Sequence, residues 1–269
     1  MYNRLMNNDR KTKIILICTL IAAVGVLIAY VAVVLNSRRE IDDTPPATSN
    51  EVVEEPTPTP TPDPDPSAKI DYSKIYNEII PATADNGNIG DHVRGNANSK
   101  VIVLEYADLQ CPGCAALMLY MSSLYKNNSD NVAFVFRHYP LQMHPNAGVA
   151  AVAAESAGLQ GYFWEMTEAL YSQQGTWANK SGDELRESYI AIFKSIAPKG
   201  DVDKFTANLE NQNLITKVTF DHDLGRLYHH VNSTPSVFVN GKEFSVLNYT
   251  TLNDFYNAVQ TEINTLLKQ

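Results

Sequence analysis

The stretch Val101–Cys114, VIVLEYADLQCPGC, runs an apolar strand into two cysteines separated by two residues. Val101, Ile102, Val103 and Leu104 form an unbroken aliphatic run, the pattern of a strand buried on both faces of a sheet. A helix is expected to follow at once. Pro112 lacks the N–H that a first helical turn leaves unpaired, and Ala115, Ala116, Leu117, Met118 and Leu119 are strong helix formers. Cys111 then stands at a helix N-terminus, where free N–H groups and the positive end of the macrodipole favour an anion. Its thiol should ionise below the reference value of roughly 8.5. Cys114, one turn on, can close a small ring with it.

That spacing suits dithiol chemistry, in which an exposed, acidified first sulfur is attacked or attacks and the second resolves the mixed disulfide from inside the helix. A structural bridge gains most when it closes a long loop, and two intervening residues close very little. Zinc takes four ligands, commonly two such cysteine pairs or one pair with two spaced histidines, and the sequence holds no second pair.

Composition limits the partners. The 269 residues carry a formal charge of −9, and no basic stripe with interleaved aromatics appears, which argues against nucleic acid. Residues 14–35 hold no charged side chain, and at ~1.5 Å per residue they can cross a ~30 Å hydrocarbon layer as a single transmembrane helix. Arg4, Arg10, Lys11 and Lys13 precede this span, whereas Arg38 and Arg39 are soon diluted by Glu40, Asp42 and Asp43. The positive-inside rule then places residues 1–13 in the cytoplasm and the remainder outside it. A cleaved signal peptide would have a shorter apolar region ending in small residues, so a retained signal anchor is the better match. Of the three cysteines, Cys18 falls inside this span as a small apolar residue. Cys111 and Cys114 are thus the thiols of the exported part, in an oxidising compartment.

Residues 36–68 read as a linker rich in Pro, Thr, Glu and Asp. Every second residue from Pro56 to Pro66 is proline, which favours extended polyproline II geometry. A folded domain is expected over 69–269. A short helix over Ile70–Ile80, stopped by Pro81, would lead into a strand at His92–Arg94. After the cysteine helix, which should end near Tyr125, Val132–His138 reads as a second buried strand, parallel to the first through a right-handed crossover. From about 145 to 230 the pattern turns helical, with segments at 146–159, 162–173, 183–195 capped by Ser181, 201–210 and 214–230. Strand character returns at Ser236–Val239, with Asn240–Gly241 as a hairpin turn into 243–246. A final helix spans 252–267, with Thr250 or Thr251 near its cap.

Three further features bear on chemistry. Glu105 sits in the buried strand, where desolvation should raise its pKa and fit it to accept a proton from the resolving thiol Cys114; strand alternation could instead turn it to solvent. Thr234–Pro235 directly precedes the returning strand, and a cis bond there would present the Thr234 backbone to an extended peptide beside the sulfurs. His138, His144, His229 and His230 lack metal-ligand spacing and read as surface or helix-capping residues, so no metal or other cofactor is expected. An exported copper or zinc carrier built from the cysteines and one of these imidazoles remains the alternative from the binding class, and a silent scaffold domain the structural one.

The motifs EYADLQCPGC, FVFRHYPLQMHPNA, AGLQGYFWEM and STPSVFVNG together resemble the DsbA-like thiol–disulfide oxidoreductases of the thioredoxin superfamily, over roughly Asp91–Leu267. The resemblance implies an α/β thioredoxin-like fold with an inserted helical domain, a nucleophilic Cys111, a buried resolving Cys114, a cis Pro235 and a buried acid at Glu105. It implies exported proteins with reduced or mispaired cysteines as substrates, and a quinone-linked membrane thiol oxidase or an external oxidant to take up the electrons. Pro112 and Gly113 complete the Cys-Pro-Gly-Cys motif, with Thr234 beside it. Well-known oxidants of this group carry a histidine just before the second cysteine, whereas Gly113 has no side chain to stabilise the thiolate. A reductase or isomerase of the same fold is therefore the nearest rival to an oxidase.

Overall fold

The computed structural model describes Ile70, Asp71, Ile75 and residues 77–269. The expected cytoplasmic tail, the 14–35 span with Cys18, the 36–68 linker and Lys69 lie outside the described residues. No described helix is long and apolar enough to cross a membrane.

Five strands make one sheet: β1 (His92–Gly95), β2 (Ile102–Ala107), β3 (Ala133–His138), β4 (Ser236–Val239) and β5 (Lys242–Ser245), in the order β1-β3-β2-β4-β5. β2 and β3 are parallel, with Ile102 opposite Ala133 and Ala107 opposite His138. The other pairings are antiparallel. The β2–β3 crossover is α1 (Pro112–Asn128), which runs three residues beyond the expected end because the Asn128 side chain donates back to the Leu124 carbonyl and bonds Gln260.

β2 is buried along its whole length, and its side chains alternate between two cores. Val101 and Val103 pack with Leu117 and Leu124 of α1 and with Phe255, Val259 and Ile263 of the last helix, α8 (Leu252–Leu266). Ile102, Leu104 and Tyr106 pack on the opposite face with Val135 and Phe238. Alternation puts Glu105 on the α1 side of the sheet.

The helical insertion comprises α2 (Ala147–Gly158), α3 (Phe163–Ser172), α4 (Gln174–Trp177), α5 (Gly182–Ile196), α6 (Val202–Asn208) and α7 (Gln212–Leu227). Its core includes Met166, Leu170, Trp177, Tyr189, Phe193 and Phe205, and is continuous with Ala107, Leu109, Cys111 and Cys114. The insertion therefore packs directly against the cysteine loop. The short α4 was not expected from sequence; it is pinned by the fully buried Trp177, whose indole N–H donates to the Leu170 carbonyl.

Local signals account for the hairpin and the last cap. Asn240 and Gly241 both take positive φ, 44° and 79°, as a two-residue turn of this hand requires. The Asn240 side chain also accepts the Ile102 N–H at 2.8 Å and donates to the Lys100 carbonyl at 2.9 Å, locking the hairpin to β2. Thr251 and Asp254 form a reciprocal capping box at the start of α8.

Other expectations require correction. The described part of 70–80 holds no helix: Ile75 lies in a turn, 77–78 are bent and 79–80 take no regular structure. The carbonyls of Ile75 and Glu78 accept from the buried Arg137 guanidinium and the Ile80 N–H donates to Asp91, so these backbone groups serve tertiary partners rather than a helical ladder. Ser181 occupies the N-cap position of α5, but its side chain makes no capping bond. α7 ends at Leu227, so His229 and His230 lie beyond it.

Candidate active site

β2 delivers the chain to the sheet end, where Asp108–Gln110 turn it into α1. Cys111 is the N-cap residue of that helix and Pro112 its first residue. The turn is fastened by Asp108, whose carboxylate accepts the N–H groups of Gln110 at 2.7 Å and Cys111 at 3.1 Å. Gln174 closes it from the insertion, donating to the carbonyls of Leu109 and Cys111 at 2.8 and 3.1 Å. Neither residue was singled out in the sequence. The signal for Asp108 was present in its spacing, since an aspartate two and three residues before unpaired N–H groups forms an Asx turn. Gln174 acts across 63 residues and leaves no local trace.

Both cysteines are free thiols. Cys111 retains 7 % exposure, less than an exposed nucleophile implies, and Cys114 is completely enclosed. Pro112 and Gly113 between them are exposed. The Thr234–Pro235 bond is cis, and the Thr234 carbonyl lies 3.6 Å from Cys111 Sγ. A Cβ built on Gly113 would stand 3.5 Å from Pro235 Cδ and 3.6 Å from Cys111 Sγ, so the cis proline, the glycine and the sulfur share one face.

The two sulfurs differ sharply in acidity. The hydrogen bond from the Cys114 thiol, followed by the Cys114 and Gly113 N–H groups of the helix start, brings Cys111 down to about 5 against the opposing effect of burial. Burial, then the bond to Cys111, pushes Cys114 well above the ordinary 9.0. Glu105 is buried between Phe136 of β3 and Val237 of β4, and desolvation raises its carboxyl to about 7, partly offset by the Arg94 charge. Its field is felt at Cys114. The thiolate absorbance of the reduced chain should therefore rise with a midpoint near pH 5. Because this value lies below the 9.0 of an ordinary thiol, the stability that the thiolate adds to the reduced fold is complete above pH 9 and is lost as pH falls towards about 5. Urea melts of reduced and oxidised chain across that window measure it, since the disulfide lacks the term.

Of the four histidines expected at the surface or capping a helix, His230 is exposed but His138 and His229 are buried. His138 is buried with Nε2 3.0 Å from Glu155, and His229 is buried with Nδ1 2.7 Å from the Tyr106 hydroxyl. His144 Nδ1 lies 2.7 Å from Asp108, and His230 is exposed at φ 54°. Each of the first three is committed to a protein partner, and among the described residues no three His, Cys, Asp or Glu side chains converge as a metal set.

Comparison with known proteins agrees with this geometry. The family model described as Thioredoxin matches residues 87–258, more than half of the chain. Among curated proteins, the chain is 33 % identical over 155 residues to Na(+)/H(+) antiporter NhaA 1 of Mycolicibacterium gilvum, covering 56 % of this chain and 24 % of that protein. It is 37 % identical over 153 residues to the protein of the same name from Salinispora arenicola, covering 56 % and 22 %. The chain thus spans about a quarter of the length of these relatives. Among solved structures, oxidised BdbD from Bacillus subtilis superposes with a TM-score of 0.56 at 22 % identity, over 72 % of this chain and all of that one. The thiol-disulfide exchange protein alpha-DsbA2 from Wolbachia pipientis gives 0.53 at 22 %, over 65 % and 86 %. A thioredoxin-like oxidoreductase from Silicibacter pomeroyi gives 0.52 at 22 %, over 72 % and 98 %. The chain belongs to the thioredoxin family, with the fold of its DsbA-like thiol–disulfide oxidoreductases.

Proposed function

We propose that this chain is a membrane-anchored thiol–disulfide oxidoreductase that oxidises cysteine pairs of exported proteins. The observation that carries the reading is the asymmetry of the two sulfurs: Cys111 is acidic, keeps a small exposed area and lies beside the exposed Pro112 and Gly113, whereas Cys114 is enclosed and resists ionisation. In the oxidised enzyme a substrate thiolate attacks Cys111 Sγ, the Cys111–Cys114 bond breaks, and Cys114 departs with the electron pair. A carboxyl near 7 can give Cys114 the proton its burial demands and recover it on the return step, which is the role assigned to Glu105. The second substrate thiolate then attacks its own sulfur in the mixed disulfide, and Cys111 leaves as a stable thiolate. Two substrate thiols become a disulfide, and the enzyme disulfide becomes a dithiol. The surface formed by the Thr234 backbone, cis Pro235 and Gly113 is where an extended substrate would lie.

The charge asymmetry around residues 14–35 supports an N-terminus in the cytoplasm and an extracytoplasmic catalytic domain on a proline-rich tether. A quinone-linked membrane thiol oxidase, or an external oxidant, would reoxidise the dithiol.

Direction is tested with the full chain in glutathione buffers. An acidic Cys111 stabilises the reduced form, so the couple should lie nearer the strong oxidant value of about −120 mV than the thioredoxin value of about −270 mV. A couple at the thioredoxin end would replace oxidation by reduction.

A further inference from the structure

Asp108 and His144 adjoin the cysteine pair but take no part in the exchange steps above. Asp108 is buried at 1 % exposure between β2 and α1, and its carboxylate accepts four donors. Oδ1 takes the N–H groups of Gln110 and Cys111; Oδ2 takes the Leu141 N–H at 2.8 Å and His144 Nδ1 at 2.7 Å. A negative charge bonded to the N–H of the nucleophilic residue opposes a thiolate forming there. The imidazole approaches the opposite oxygen from the loop between β3 and α2, and since an ionised carboxylate only accepts, Nδ1 carries a proton. Gly113, within the motif itself, offers no side chain.

We propose that His144 is a positioning residue that sets the redox balance of the Cys111–Cys114 pair by acting through Asp108. Its N–H holds the Asp108 charge on the oxygen facing away from the start of α1 and offsets the field which that charge exerts on Cys111. The proposal rests on the oxidoreductase reading above.

The test is equilibration of the full chain with glutathione at neutral pH. Reduced enzyme and glutathione disulfide give enzyme disulfide and two glutathione thiols: two electrons leave the pair with the Cys114 proton, and because Cys111 is already a thiolate at neutral pH the second glutathione thiol takes its proton from solvent. The readouts are the ratio of reduced to oxidised chain and the Cys111 thiolate midpoint. His144→Ala should raise that midpoint and shift the ratio towards disulfide by about tenfold, the equivalent of one unit in thiol acidity. His144→Gln, whose amide N–H can still donate to Asp108, should recover most of the shift. Asp108→Asn should move both readouts the opposite way, and in that background His144→Ala should add nothing.

Equal displacements by His144→Ala and His144→Gln, or a His144→Ala effect undiminished beside Asp108→Asn, overturn the proposal. Should Asp108→Asn fail to fold, the comparison of the two His144 variants decides alone. A normal wild-type couple with an unmoved His144→Ala overturns this proposal and leaves the oxidoreductase reading standing. A wild-type chain with no reversible dithiol couple overturns both.

Discussion

Serine in place of Cys111 is expected to abolish catalysed oxidation of a reduced two-cysteine protein, leaving only the uncatalysed background. A hydroxyl forms no disulfide, and the low thiol pKa that makes Cys111 the better leaving group has no counterpart at serine. Cys114→Ala should fail differently. Cys111 keeps its place at the start of α1, so it can still attack a disulfide, but the mixed disulfide has no partner sulfur to resolve it and should accumulate. The same change removes the first cause of Cys111 acidity, the hydrogen bond from the Cys114 thiol. The Cys111 thiolate midpoint should therefore climb above 5 in Cys114→Ala while the helix start remains. Mass analysis of trapped adducts and thiolate absorbance read the two effects separately. Full activity in Cys111→Ser would remove the mechanism, and an unmoved midpoint in Cys114→Ala would remove the account of its acidity.

What the sequence makes legible and what it hides divide along contact range. The β2–α1 junction is readable because each signal is local: aliphatic residues, then Pro112, then helix formers. The Asn240–Gly241 turn and the Thr251 cap are likewise decided within a few residues. Glu105 is intermediate. Its position in an apolar run suggests burial, yet the pairing with Phe136 and Val237 that encloses it comes from strands far away in the chain. The polar residues were misjudged where their partners lie distant. His138, at the end of a strand and beside a loop, reads as a surface residue until Glu155 and the insertion cover it, and His229 reads as a helix end until Tyr106 claims its imidazole. The same blindness produced a helix over Ile70–Ile80, whose isoleucine spacing fits one. Its backbone is instead spent on Asp91 and Arg137, residues with no apparent connection to it in the sequence.

Arg137→Met is expected to cost about 3–5 kcal/mol, the usual penalty for orphaning a buried ion-pair partner. Arg137 has no exposed surface, and all five of its N–H bonds are matched. Nε and Nη2 grip the two oxygens of Asp91 at 3.0 and 2.8 Å, Nη1 reaches the Tyr106 hydroxyl and the Ile75 carbonyl, and Nη2 also reaches the Glu78 carbonyl. Methionine fills comparable space but leaves the Asp91 carboxylate with Lys217 at 3.7 Å as its remaining cation. At ~2–4 °C per kcal/mol for a domain of this size, melting should fall by roughly 10 °C. The pH dependence identifies the cause. Burial alone would raise the Asp91 carboxyl, but Arg137 outweighs it and holds the group below 3.8 in the fold. The stability this pairing gives the wild type is thus present above about pH 4 and lost as pH falls further. The gap between Arg137→Met and wild type should accordingly narrow in acid, and Asp91→Asn added to Arg137→Met should recover part of the loss by removing the stranded charge. A deficit that stays constant with pH and persists in the double variant would point to lost packing instead of an uncompensated carboxylate.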